Sequence, residues 1–248
     1  MDDVGFASDE PAVAHVLVDA LTTELRIAGT DGHHLARARR LRVGEDVTAA
    51  DGSGTWRAYV VATVAGSEVH LEATRPARRE PALVPGLTVA FALTKGAKPE
   101  IVVRQLTELG VDAMAPVLAA RSVARSDGPR EAKLVDRLER VAREAAMQCR
   151  RARLPEVVPP IALTELVGRP GLVLAERGDP GTPSVTDPGP PGWTLLVGPE
   201  GGLDPAELEA LGAVPRLAAG VHVLRAETAA VAAAALLTAR RRPSAPPP

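Results

Sequence analysis

Residues 195–208 read Leu195-Leu196-Val197-Gly198-Pro199-Glu200-Gly201-Gly202-Leu203-Asp204-Pro205-Ala206-Glu207-Leu208. A short apolar run, the mark of a buried strand, enters a glycine-rich turn, and the turn opens a helix. Asp204 and Glu207 stand at capping-box spacing with Pro205 at the first helical position. Gly198, Gly201 and Gly202 permit positive φ and close approach of a ligand to the main chain. The same alternation extends outward from this stretch. Thr88–Leu93, Ala113–Val117, Leu172–Ala175 and Thr194–Val197 are apolar runs of strand length. Between and after them the spacing predicts helices from Pro99 to Leu109, from Glu131 to Cys149 (Leu134, Leu138, Val141 and Ala145 on one face) and from Ala226 to Ala239. Strand alternating with helix predicts an α/β fold with a mainly parallel sheet over residues 88–242.

The first 75 residues have another texture. Ala14–Val18, Asp46–Ala50, Thr55–Val61 and Glu68–Glu72 are short strand-like runs, and Asp51-Gly52-Ser53-Gly54 is a hairpin turn between the middle two. One helix, from an Asp31 N-cap through His34 to Leu41, interrupts them, and the whole reads as a small β-barrel. Residues 76–87 are rich in Pro and Arg and are expected to be a linker. The tail, 243–248, is expected to be disordered.

The chain has 248 residues, a net charge of −2 and only five aromatic residues (Phe 2, Trp 2, Tyr 1), so its core must be built from Ala, Val and Leu. A single cysteine excludes an intrachain disulfide framework and a cysteine-cluster metal site, and fits a reducing compartment. The acidic start, Met1-Asp2-Asp3-Val4-Gly5, is not a secretory signal, and no apolar run spans a membrane. A cytoplasmic location is the expectation. His33 and His34 are adjacent and badly placed to share a metal from regular structure, so no metal is expected.

The 198–202 turn lacks the Gly-Lys-Ser/Thr of a phosphate-binding loop and the spacing of a dinucleotide fingerprint. Glu200 at its centre would repel phosphate. A ligand with a positive centre or a neutral hydrogen-bonding edge suits it better, although an ordinary strand–helix turn would look the same. A second segment, Leu217 to Ala230, also reads as a loop feeding a helix. Glu227 and Thr228 suit a helix start by charge and capping. Arg225 beside an apolar run has no such explanation.

Taken together, Gly198-Pro199-Glu200-Gly201-Gly202 and Val223-Leu224-Arg225-Ala226-Glu227-Thr228-Ala229 resemble the bacterial family that methylates N3 of a uridine in 16S ribosomal RNA. That family belongs to the SPOUT methyltransferases, whose catalytic domain is trefoil-knotted. Lys95-Gly96, Thr107-Glu108-Leu109-Gly110-Val111, Arg121-Ser122-Val123, Gln148-Cys149 and Pro155-Glu156-Val157 match family positions in the same order. His33-His34-Leu35 through Arg40-Leu41-Arg42-Val43-Gly44-Glu45 match its N-terminal PUA-like RNA-binding barrel. The chain departs from the family at Ala14-His15, Gln105 and Ala219-Gly220-Val221-His222.

The resemblance implies S-adenosylmethionine (SAM) as methyl donor, held by three loops. The first is Leu174-Ala175-Glu176-Arg177. The second is the turn Gly198-Pro199-Glu200-Gly201-Gly202, entered from Val197. The third runs through Ala219, Gly220, Val223, Leu224 and Arg225, with Thr228 just beyond. Uridine N3 carries a proton and is a poor nucleophile until that proton leaves, so the site needs a base or a route to water, and a donor for charge on the flanking carbonyls. Arg225 is the expected donor, and Glu200 or Glu227 the expected acid–base or orienting group. RNA contacts are expected from His34, Arg37, Arg39, Arg40, Arg121, Arg150 and Arg151, by phosphate neutralisation and shape rather than base stacking. The implied partners are 16S ribosomal RNA or the small subunit and a second copy of the chain. The alternatives left open are a knotted methyltransferase with another acceptor, and an RNA-binding protein without turnover.

Overall fold

The structure is a computed structural model that describes residues 4–93, 98–121, 128–178 and 185–244. The chain divides into two compact units. One holds residues 4–82, 143–154 and 244, and the other holds the described residues of 83–142 and 155–243.

The first unit is a six-stranded sheet made of β1 (Ala14–Leu17), β2 (Glu24–Ile27), β3 (Asp46–Ala50), β4 (Thr55–Ala65), β5 (Glu68–Ala73) and β6 (Arg78–Arg79). Strand order is β1-β3-β4-β5-β2, with β6 on β4. Among these strands only the β1–β3 pair is parallel. The expected hairpin at 51–54 joins β3 to β4. Asp51 shapes it by accepting from the amides of Ser53 (2.8 Å) and Thr55 (3.0 Å). Alternation along β5 turns Val69 and Leu71 inward, against Val16, Leu35, Val47, Tyr59 and Val61. The expected helix begins and ends earlier than its pattern implied: Ala28, not Asp31, stands at the N-cap, and Asp31 lies within the first turn. α1 (Gly29–His33) runs straight into a π-helical turn over His34–Ala38. Strand β2 has no counterpart in the sequence reading, because Glu24-Leu25-Arg26-Ile27 is short and half charged.

Part of the expected linker is built into this sheet. Arg78 and Arg79 pair with Trp56 and Thr55, and the Arg78 guanidinium lies 5.6 Å from the centre of the Trp56 ring. Glu80 is buried, and its carboxylate accepts from the Ala152 amide at 2.9 Å. The Pro- and Arg-rich composition looked like a linker because its ordering comes from residues 72 positions away, not from local periodicity.

His15, on β1, is 5% exposed. Its Nδ1 lies 2.8 Å from the Thr48 hydroxyl, and its Nε2 has no hydrogen-bond partner among the described residues. Burial, aided by the Arg150 charge and opposed by the Arg151 main chain, pushes the imidazole down to about 4 from 6.5. Folding therefore favours the neutral ring. The associated stability is fully present above pH 6.5 and is lost as pH falls toward 4, by roughly 3 kcal/mol in total. Urea midpoints measured from pH 7 to pH 4.5 should fall more steeply for the wild type than for His15→Asn, which cannot titrate. Parallel pH profiles would contradict this.

The second unit contains β7 (Leu83–Val84), β8 (Leu87–Ala92), α2 (Lys98–Glu108), β9 (Ala113–Leu118), β10 (Glu156–Val157), β11 (Ile161–Ala162), β12 (Leu172–Arg177), β13 (Trp193–Val197), α4 (Pro205–Leu211), β14 (Arg216–Gly220), α5 (Ala226–Thr238) and β15 (Arg242–Pro243). α3 (Gly128–Cys149) begins here, and its residues from Arg143 onward belong to the first unit. Seven strands form one sheet, ordered β10-β9-β8-β13-β12-β14 with β11 also on β9, and every pairing described in it is parallel. The parallel α/β expectation is met. α5 turns Ala230, Ala233, Ala234 and Leu237 inward at helical spacing, and small side chains let it lie close on the strands. Arg241, past its end, is 9% exposed. It donates to the carbonyls of Pro85 (2.8 Å), Gly110 (2.7 Å) and Leu83 (2.9 Å) and pairs with Asp112. Residues 242–243 pair with β7, so the sheet-forming chain extends into what was expected to be tail; residues 245–248 lie outside the described residues.

Candidate active site

Strands β13 and β14 flank β12, so the chain crosses the sheet at β12 and reverses direction there. In open parallel sheets ligands bind outside the carboxyl ends of the strands at such a reversal. A cleft of about 360 Å³ lies there, within the size range of small-molecule sites. Its walls come from the ends of β12 (Leu174 to Arg177), the turn after β13 (Val197 to Glu200, then Gly202 and Leu203), β14 (Arg216, Ala219) and the following loop (His222, Val223, Leu224). Ala226 and Ala229 of α5 and Leu208 of α4 complete it.

The two bends singled out in the sequence thus share one cleft. Leu174, Ala175, Glu176, Val197, Gly198, Pro199, Glu200, Ala219, Val223 and Leu224 line it. Gly201, Gly220, Arg225 and Thr228 stand beside the wall rather than in it. Leu203, Leu208, Arg216, Ala226 and Ala229 line it without having been singled out. Capping spacing had marked Leu208 and Ala226 as helix residues only. Residues 216–220, read as loop, are strand β14. Leu217-Ala218-Ala219-Gly220 carries too little β-branched character to show this, and pairing with β12 imposes it.

The local expectation at α4 is met in detail. Asp204 accepts from the Glu207 amide (2.8 Å), and Glu207 accepts from the Asp204 amide (2.9 Å). Glu207 also accepts from the Ala120 amide at 2.7 Å, which ties the turn to the end of β9. Of the three turn glycines only Gly202 has positive φ (+71°). At Gly198 a Cβ would meet the Leu203 side chain at 3.4 Å, an ordinary contact, so neither φ nor space within the chain requires glycine there. Arg121, expected at RNA, donates to the Gly201 carbonyl at 2.6 Å and so braces the same turn.

The electrostatics centre on three side chains. Lys98, the first residue of α2, pairs with Glu200 and lies 3.6 Å from Glu227 Oε2. The Lys98 ion pair, reinforced by the Arg225 charge, holds the Glu200 carboxyl below its usual range, so Glu200 is ionised at neutral pH. Arg225 stands at the N-cap of α5, with extended φ and ψ of −64° and 152°, and it makes no side-chain capping bond to the helix. Sequence reasoning missed Lys98, because its partners lie far along the chain, at Glu200 and Glu227.

Other expected RNA residues divide. Arg37, Arg39 and Arg40 are exposed at and beyond the π-helical turn of the first unit, which His34 begins. Arg150 instead closes α3, with φ +59°, and donates to the Glu10 carbonyl at 2.9 Å. Arg151 donates its amide to the Ala146 carbonyl at 2.9 Å, in the capping turn that follows α3. Lys95, Gly96, Ser122 and Val123 lie outside the described residues. Among the described residues no group of three or more His, Cys, Asp or Glu could hold a metal ion, and no helix is long and apolar enough to cross a membrane.

Residues 82–238 match the RNA methyltransferase domain family, and residues 27–73 match the RNA methyltransferase PUA domain. The chain belongs to the RNA methyltransferase family. Ribosomal RNA small subunit methyltransferase E of Mycobacterium bovis is 37% identical over 218 residues, 82% of each chain. The Bacillus subtilis protein of that name is 30% identical over 82% of this chain and 85% of its own. A Neisseria gonorrhoeae ribosomal RNA small subunit methyltransferase E, solved bound to SAM, superposes with TM-score 0.80 at 22% identity, covering 92% of this chain and 97% of that one. A Legionella pneumophila methyltransferase solved with SAM gives 0.78 at 24% identity, over 93% of this chain and 98% of that one. The C-terminal α/β part of this RNA methyltransferase carries the methyltransferase domain, and its N-terminal part is PUA-like, as the motifs implied.

Proposed function

We propose that the chain is a SAM-dependent methyltransferase of small-subunit ribosomal RNA, acting at N3 of a uridine in 16S RNA. The observation that carries this is the meeting of the 198–202 turn and the 219–225 segment in one cleft at the carboxyl ends of β12 and β13. The names of the curated relatives support the RNA target.

The residues present fit SAM. Leu174, Val197, Leu203, Val223 and Leu224 offer an apolar enclosure, the turn offers main-chain groups to an adenine edge, and Glu176 and Glu200 offer negative charge to a cation. Bound SAM would supply an electrophilic methyl group on a sulfonium. The protein's part is positioning and electrostatics. Glu200 stays ionised and favours positive charge in the cleft. Its lowered pKa makes it a weak base, which leaves the removal of the N3 proton to Glu227 or to water that Glu227 orients. Arg225 stabilises charge developing on the uracil carbonyl oxygens, helped by the positive end of α5. Residues His34, Arg37, Arg39 and Arg40 of the PUA-like unit, which we take as residues 1–75, hold the RNA backbone. Action in the cytoplasm as a homodimer is part of the same reading.

Nucleosides from 16S RNA of cells with and without the gene, compared by mass spectrometry, should differ in one N3-methyluridine. Recombinant protein with SAM should restore it on RNA from the deletion strain. A missing methyl on a different base would move the acceptor, and unchanged RNA would remove the ribosomal assignment.

A further inference from the structure

Lys98 is the first residue of α2, where a cation opposes the helix dipole. It does not line the cleft, yet it joins two of the cleft's supports. Its ammonium pairs with Glu200, at the centre of the turn after β13. It also lies 3.6 Å from Glu227 Oε2, in the first turn of α5. That Glu227 oxygen is buried and accepts no hydrogen bond from the described residues, so the lysine charge is what compensates it. A compact ammonium can face two carboxylates at once, whereas a planar guanidinium commits its fork to one.

We propose that Lys98 is a positioning residue for methyl transfer: it clamps Glu200 to Glu227, and so holds the donor-binding turn against the N-terminus of α5. The inference rests on the methyltransferase reading. Without Lys98, Glu200 would keep a main-chain hydrogen bond and the Arg225 charge, while the buried Glu227 oxygen would lose the charge that faces it. Repulsion would then draw Glu200 and its turn out of the cleft wall.

The test is a double-mutant cycle read on SAM affinity by calorimetry, with the full chain. Lys98→Met is expected to raise the SAM Kd by about tenfold or more and to move the melting temperature by only a few degrees. Lys98→Arg should recover only part of the affinity, because its fork engages one of the two carboxylates. In the Glu200→Gln/Glu227→Gln background, adding Lys98→Met should change the Kd by less than about twofold. If Lys98→Met does not fold, Lys98→Gln takes its place in the cycle. Wild-type affinity in the single variant would overturn the clamp, and so would an equal loss in both backgrounds. A wild-type protein that binds no SAM would sink the methyltransferase reading itself, a result distinct from either.

Discussion

Arg225→Ala should lower the single-turnover methylation rate by about 100-fold or more while leaving the SAM Kd within about threefold. The asymmetry follows from where the side chain stands. It sits at the start of α5 without a side-chain hydrogen bond to the helix, and it does not line the cleft. Removing it therefore costs little to the donor's enclosure. The loss falls on charge that appears only as the acceptor is alkylated, and preorganised donors contribute most to that charge. Because Arg225 also helps hold the Glu200 carboxyl low, the Arg225→Ala change should let that group rise modestly toward its usual range. Arg225→Lys should recover part of the rate, since it restores charge without the planar fork. An alanine variant with near-normal turnover would remove Arg225 from the chemistry. One that lost SAM binding in proportion would make it a donor-binding residue instead.

Gly192→Ala should be strongly destabilising, costing about 3–5 kcal/mol and lowering the melting temperature by roughly 10 °C. Gly192 has φ +108°, and a Cβ there would lie 2.2 Å from the Gly86 carbonyl oxygen and 2.7 Å from its carbon and nitrogen. These are backbone atoms and cannot swing aside. The Trp193 amide donates to that same oxygen at 2.8 Å, so relief of the clash would unseat the first pairing between β13 and β8. The neighbouring strand start is as tight, with a Cβ at Gly171 falling 2.1 Å from the Gly192 oxygen. Gly189→Ala is the control: φ is +64°, but nothing lies within 4 Å, so only the backbone penalty of about 1–2 kcal/mol applies. Equal melting temperatures for the two variants would show that the strand starts yield more readily than their spacing implies.

The features read correctly from the sequence were those whose cause is local. The Asp204–Glu207 capping box, the 51–54 hairpin and the closing helix that begins at Ala226 all depend on residues within about one turn or one hairpin of each other. The 198–202 turn belongs with them, since its glycines and central acid are contiguous. The features missed have distant causes. β14 is a strand because β12 pairs with it, and residues 78–80 are ordered by β4 and by Ala152. The bonds that Arg121 and Arg150 make within the chain are equally distant. Carbonyls 80 and 140 residues away hold their guanidinium groups.

By itself the amino-acid order determined the alternation of strand and helix, the two-part character of the chain and the family its motifs resemble, because hydrophobic period, caps and turn residues act within a few positions. Only the tertiary structure decided that β12 would lie between β13 and β14, and so that two bends well separated along the chain would become one cleft. It alone placed Lys98 between Glu200 and Glu227. Pairing partners and ion pairs are chosen by three-dimensional proximity, and no local preference encodes that.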